Sequence, residues 1–174
     1  MTISGDDTNI YITEPDGKQG WLAIGHSSGN FTSNRVVMTG GSIKPLYPSS
    51  TGYAQLRIAN ANAADALFDM RGGEIDLWVT NNSSPGVNCS VTVGPGNGEF
   101  RMSGGYVYCG DFHVGDNQPG SAGYEERTTT HRPRLYMTGG TLNCARLYLG
   151  SSNDNTTIRH ISTRRPTSTS TEES

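Results

Sequence analysis

A four-residue phrase, Met-x-Gly-Gly, recurs along the chain at a nearly constant interval. Its four copies begin at Met38, Met70, Met102 and Met137, so they are spaced by 32, 32 and 35 residues. The match extends beyond the phrase, because apolar residues also recur two residues before and five residues after each methionine. They are Val36, Phe68, Phe100 and Leu135 before it, and Ile43, Ile75, Val107 and Leu142 after it. A repeat interval in this range is typical of stacked-repeat proteins.

A second pattern lies between the copies of the first. Four-residue stretches with apolar first and third positions usually end in glycine, as in Leu22-Ala23-Ile24-Gly25 and Phe112-His113-Val114-Gly115. Alternation of apolar and polar residues indicates half-buried β-strands, and a Gly-Gly pair between two of them indicates a sharp corner. Each repeat therefore supplies two or three strands of roughly three to five residues, joined by variable polar loops.

These patterns predict an all-β, single-domain parallel β-solenoid with variable loops, in which equivalent strands stack at ~4.8 Å. We expect a right-handed β-helix of about four to five rungs over residues 1–158. An antiparallel sandwich is the alternative, but it gives no reason for the phrase to recur. The stretch Ala61–Leu67 is too short for a stable helix, so it is predicted to be a loop with at most one helical turn. Residues 159–174, rich in Ser, Thr and Glu, are predicted to be a disordered tail.

Composition argues against two classes of partner. The chain carries 13 basic and 16 acidic residues, a net charge of −3, and the repeats contain no Lys/Arg cluster, so a nucleic-acid partner is not expected. No apolar run approaches the length of a membrane span, and the first residues lack the charged and apolar regions of a signal peptide.

The repeat is most complete in residues 100–115, FRMSGGYVYCGDFHVG, and residues 135–150, LYMTGGTLNCARLYLG. These stretches resemble secreted bacterial autotransporter-like surface proteins and the long repeat proteins that carry PEP-CTERM-type sorting tails. The resemblance covers about residues 20–152. It implies a β-helical stalk or surface protein, located outside the cell or on its surface, usually without catalytic activity.

Polar and aromatic side chains of neighbouring repeats form a candidate ligand-binding face. If the rungs stack in register, seven residues should share one face on two neighbouring rungs. They are Asp69, Arg71, Glu74, Asp76, Arg101, Tyr106 and Tyr108. Aromatic rings suit the stacking of a sugar, and carboxylates and guanidinium groups suit its hydroxyls, so the pattern predicts a surface glycan as partner. The competing interpretation is a solvated ladder of paired charges that contributes little.

Other chemistry is weakly indicated. Glu74 and Asp76 would lie ~6.6 Å apart on a strand, within the range of a glycosidase pair, but any Glu-x-Asp on a strand has this spacing. We therefore predict no catalytic residue, no cofactor and no metal site. Cys109 and Cys144 occupy the same repeat position and are predicted to lie inward in adjacent rungs as small apolar groups rather than as a disulfide. His113 is predicted to face outward and to be solvated.

A solenoid has two ends with unpaired strand backbones, and no strong cap is evident at either end of this sequence. The leading hypothesis is therefore a non-catalytic structural or adhesive surface protein that self-assembles end to end. A carbohydrate-binding or polysaccharide-cleaving module is one alternative. A fragment of a phage receptor-binding fibre, which should form a trimer, is another.

Overall fold

The computed structural model describes residues 1–12, 20–25, 34–46, 54–60, 64–78, 89–115 and 132–149. This part of the chain contains thirteen β-strands and no helix, so none that could span a membrane. The strands are β1 (Thr2–Ile3), β2 (Asn9–Ile12), β3 (Gly20–Ile24), β4 (Asn34–Met38), β5 (Ser42–Pro45), β6 (Ala54–Ile58), β7 (Asp65–Met70), β8 (Glu74–Asp76), β9 (Cys89–Val93), β10 (Asn97–Met102), β11 (Tyr106–Val114), β12 (Arg134–Met137) and β13 (Thr141–Leu149).

Every pairing between these strands is parallel. The small sheet has the order β1-β4-β7-β10-β12. The large sheet runs β2-β5-β8-β11-β9-β6-β3, with β13 on β11. The described chain is thus an all-β fold of parallel sheets, and the antiparallel alternative is wrong for it.

Neighbouring strands in each sheet come from successive segments of the chain, which we call units. Unit 1 comprises β1–β3, unit 2 β4–β6, unit 3 β7–β9, unit 4 β10 and β11, and unit 5 β12 and β13. The large sheet has two arms because the first half of β11 pairs with β8 and its second half with β9. Arm one contains β2, β5, β8 and the first halves of β11 and β13, and arm two contains β3, β6, β9 and the second halves. Each unit therefore contributes to the small sheet, to arm one and to arm two.

The register of the strands matches the repeat in the sequence. Met38 pairs with Met70, Met70 with Met102, and Met102 with Met137. The structure adds one copy before these, because Ile3 is the register partner of Met38. This copy lacks the Met-x-Gly-Gly phrase, because unit 1 continues from Ile3 with Ser4-Gly5 instead.

One local prediction was wrong. Residues 65–67 of the segment expected to be a loop belong to β7, whereas residues 61–63 lie outside the described part. The strand forms because it has parallel partners on both sides, Ala66 pairing with Asn34 of β4 and with Gly98 of β10. Backbone hydrogen bonds from two neighbours outweigh the low β-propensity of its Asp and Ala residues.

The apolar rows face a common interior. Met38, Met70 and Met102 are buried, and so are the phenylalanines of units 3 and 4. The rings of Phe68 and Phe100 are stacked with their centroids 5.4 Å apart. Phe112 of arm two meets Phe100 edge to face, also at 5.4 Å. The core therefore joins the small sheet to arm two as well as each unit to the next.

Residues after the arm-two strands turn with positive φ. Gly25, Gly94 and Gly115 do so in units 1, 3 and 4, with φ of 71°, 123° and 90°. Unit 2 carries Ala59 at this place and keeps a φ of 55°. A residue with a side chain is disfavoured in this region of φ, so the stacking of neighbouring units imposes the positive φ of Ala59.

Candidate functional site

The seven residues of the candidate ligand-binding face are divided between two sheets. Asp69 and Arg101 lie on β7 and β10 of the small sheet, and Arg71 follows β7 at the Gly-Gly corner. Glu74, Asp76, Tyr106 and Tyr108 lie on β8 and β11 in arm one. The register between units was predicted correctly, but the corner separates the set, so one shared face was the wrong expectation.

The small-sheet members are engaged in ion pairs. Asp69 is buried and accepts hydrogen bonds from Arg71 Nη2 at 2.7 Å and from Arg35 Nη2 at 3.0 Å. The bond from Arg71 is the largest cause that holds the pKa of Asp69 below its usual value, and Arg35 acts in the same direction. Arg101 pairs with Glu99 on its own strand. Asp69, Arg71 and Arg101 are therefore better described as members of ion pairs than as a free ligand-binding face.

Arm one carries an aromatic group that includes a residue missed by the sequence analysis. Trp78, directly after β8 and Leu77, stacks on Tyr108 with centroids 4.7 Å apart and planes inclined by 13°. Tyr106 lies 6.5 Å from Tyr108, ring to ring. The backbone N–H of Trp78 donates to Asp76 Oδ1 at 3.1 Å, which fixes where the tryptophan leaves the strand. We call Trp78, Tyr106 and Tyr108 the aromatic group.

Arm two carries a covered row of polar residues on the side opposite the core. Strand alternation turns these side chains away from the interior, yet five of them are buried. They are Gln55, Ser90, Thr92, Asp111 and His113, with exposed fractions between 2% and 7%. The prediction of a solvated His113 was wrong, because its ring stacks on Tyr148 at 4.5 Å and is 6% exposed.

Asp111 organises the end of this row nearest unit 5. Arg146, its register partner on β13, donates through Nε at 2.7 Å and through Nη2 at 2.8 Å. His113 Nε2 lies 3.9 Å from the same carboxylate. Burial by itself would raise the pKa of Asp111, but the nearby His113 and the hydrogen bonds from Arg146 outweigh it and lower the pKa. The lowered pKa favours the ionised carboxylate at neutral pH.

Asp111→Asn is expected to lower the free energy of unfolding at pH 7 by about 1–3 kcal/mol, because Arg146 loses its charged partner. The folded-state pKa of Asp111 lies below the unfolded value, about 3.9, so this stabilisation is complete above the unfolded value and is lost as the pH falls through the folded value. Urea unfolding at pH 7 and pH 3 should therefore show a smaller loss of stability on acidification in the variant than in the parent. Asp65→Asn, at an exposed residue of β7, is the control. Equal acid dependence in Asp111→Asn and the parent would contradict the assignment.

Cys109 and Cys144 pair in register on β11 and β13, as predicted, and both are free thiols. Cys109 is fully buried and Cys144 half-buried. Burial is the largest cause that raises the pKa of both thiols, so neither is activated as a nucleophile. The described residues contain no group of three or more His, Cys, Asp or Glu side chains arranged to hold a metal ion.

The two ends of the described stack differ in how well their apolar residues are covered. In unit 1, Ile3, Ile12 and Ile24 are 2%, 7% and 7% exposed, and Ile10 and Leu22 are half-buried. In unit 5 the residues that continue the core rows are half-buried or exposed, Met137 being 40% and Leu149 64% exposed. We call this surface the unit 5 end, and it consists of Leu135, Met137, Leu142, Cys144, Leu147 and Leu149. Within the described residues, β12 and β13 each have a strand neighbour on one side.

Comparison of the chain with protein-family models, curated proteins and solved structures found no match in any of the three. The resemblance to autotransporter-like and PEP-CTERM-type surface proteins therefore rests on the repeat residues alone.

Proposed function

We propose that the chain is a non-catalytic structural or adhesive surface protein, built as a β-solenoid whose coils are the five units and acting outside the cell. The sheet order and register support this architecture, because every unit places its strands beside the same strands of the next unit. We further propose that it self-associates end to end through the unit 5 end. The observation that carries this proposal is the exposure of the apolar rows in unit 5.

The physical reason for self-association is that the core rows remain partly exposed on β12 and β13. An edge strand presents unpaired N–H and C=O groups, and here it also borders exposed apolar side chains. A second copy of the chain carries the same apolar rows and can cover this surface with its own unit 5 end.

The difference between the ends determines the form of the assembly. Unit 1 covers Ile3, Ile12 and Ile24 and leaves Ile10 and Leu22 half-buried, whereas unit 5 also exposes Met137 and Leu149. The unit 1 end therefore offers less apolar surface to a partner. Two copies joined through their unit 5 ends use the same surface twice and form a closed two-fold dimer. The predicted open filament would require both ends to be adhesive.

Met137→Lys tests this assembly, because it places an ammonium group on the unit 5 end. Sedimentation velocity over a concentration series should show a reversible dimer for the parent chain and at least about a tenfold weaker dimer for Met137→Lys. Tyr136→Lys is the matched control, since Tyr136 is 59% exposed and faces away from the core on the same strand. It should dimerise like the parent.

Four results would contradict the proposed assembly. These are a parent chain that is monomeric at every concentration, a dimer unaffected by Met137→Lys, a filament, and a trimer. The trimer would favour the receptor-binding fibre instead. Circular dichroism of both variants establishes that a lost dimer reflects the surface and not unfolding.

A further inference from the structure

The aromatic group borders a step on the surface of arm one, where large aromatic side chains give way to short polar ones. Its members Tyr106 and Tyr108 pair in register with Thr141 and Asn143 of unit 5, which are short, polar and exposed. On the opposite side, toward unit 3, their register partners are Glu74 and Asp76. The surface therefore falls from two tyrosine rings to a hydroxyl and an amide within one strand spacing, about 4.8 Å.

Tyr108 is held as the wall of this step. Trp78 stacks against one side of its ring, and the register places Asn143 on the side away from unit 3. The tryptophan itself is fixed by the bond from its backbone N–H to Asp76 and by the bond from Leu77 N–H to Tyr108 O at 2.9 Å. A tyrosine restrained in this way loses little side-chain freedom when a ligand packs on it.

We propose that this step binds a neutral, pyranose-containing glycan. A sugar ring placed above Thr141 and Asn143 packs its C–H face against Tyr108, while the hydroxyl and the amide of those residues bond to its hydroxyl groups. Tyr106, 38% exposed, extends the aromatic surface along the strand for a second sugar. The carboxylates of Glu74 and Asp76 lie on the other side of the two tyrosines, where their negative charge repels anionic polymers, so the glycan is neutral.

This inference is independent of the proposed self-association, because it uses outward side chains of arm one and not the core rows of unit 5. Of the seven residues in the candidate ligand-binding face, it keeps Glu74, Asp76, Tyr106 and Tyr108. It leaves out Asp69, Arg71 and Arg101, which are engaged in ion pairs. It adds Trp78, Thr141 and Asn143.

Affinity electrophoresis in gels containing β-glucan, mannan, galactan, xylan or carboxymethyl-glucan tests the inference directly. The parent chain should be retarded by at least one of the four neutral polymers and less by the anionic one. Tyr108→Ala and Asn143→Ala should each weaken the retardation at least about tenfold. Tyr11→Ala is the matched control, because Tyr11 is a 48% exposed tyrosine on the same arm in unit 1, and it should bind like the parent.

Tryptophan fluorescence provides a second readout at the site. The chain has two tryptophans, so Trp21→Phe leaves Trp78 as the single reporter. Soluble oligosaccharide of the retarding polymer should shift its emission in a saturable manner, and Tyr108→Ala should abolish the shift. Absence of retardation by all four neutral polymers would overturn the inference. Equal binding by Tyr108→Ala and Tyr11→Ala, or stronger binding of the anionic polymer, would also overturn it.

Discussion

Gly73→Ala is expected to lower the free energy of unfolding by about 2–5 kcal/mol, because it combines backbone strain with a clash between units. Gly73 has a φ of 83°, in the region that an L-residue avoids. A Cβ placed there would lie 2.7 Å from Gly41 O and 2.7 Å from Met38 Cε of the preceding unit. The methionine can move its terminal carbon, but the carbonyl belongs to the stacked backbone and cannot retreat without separating the units.

Gly5→Ala separates the two causes. Gly5 also has a positive φ, 90°, but the nearest atom to an added Cβ is Thr8 Oγ1 at 3.5 Å, an ordinary contact. Its expected cost is about 1–2 kcal/mol, from backbone strain alone. Urea unfolding of the parent and the two variants, followed by circular dichroism, gives the comparison. Equal losses in the two variants would show that close approach between units does not explain the Gly-Gly corner.

The register of the strands could be predicted from the sequence for a physical reason. Parallel in-register stacking places the same position of each unit in the same surroundings, so every unit must meet the same demand for shape and polarity. The rows that begin with Val36 and Met38 therefore recur in the sequence before any strand is located. The corner glycines recur for the same reason, since each meets the backbone of the unit before it.

Features that occur in a single unit could not be found in this way. Trp78 lies eight residues after Met70, and the corresponding residues of the other copies are Leu46, Gly110 and Ala145. No repeat marks it, and its stacking on Tyr108 depends on where the chain leaves β8. The end of β8 is set by hydrogen bonds to Asp76 and β11 and not by a local pattern.

The burial of the arm-two polar row could not be predicted from the sequence either. Alternation correctly assigns Asp111 and His113 to the side away from the core, but it does not say whether that side is covered. The sequence did contain one signal, because Arg146 lies 35 residues after Asp111 and Tyr148 lies 35 residues after His113. An Asp opposite an Arg and a His opposite a Tyr in adjacent strands indicate an ion pair and a stacked pair.

Phe100→Ala is expected to lower the free energy of unfolding by about 3–5 kcal/mol, the range for loss of a buried phenylalanine. Phe100 is 0% exposed, stacks on Phe68 of unit 3 and meets Phe112 edge to face. Its register partner in unit 5 is Leu135. The substitution therefore weakens contacts to the units on both sides and opens a cavity between the small sheet and arm two.

The strands that lose hydrogen-exchange protection in Phe100→Ala show whether stability is transmitted from unit to unit. In a stack where each unit contacts its neighbours, loss of Phe100 should detach unit 5 first, since the strands of unit 5 pair with unit 4 alone among the described units. Hydrogen exchange should then show the greatest loss of protection in β12 and β13, and a smaller loss in β4 and β5. Tyr136→Ala, which removes a 59% exposed ring from β12, should leave both regions within about 0.5 kcal/mol of the parent. A uniform loss of protection in Phe100→Ala would instead show that the five units unfold as one body.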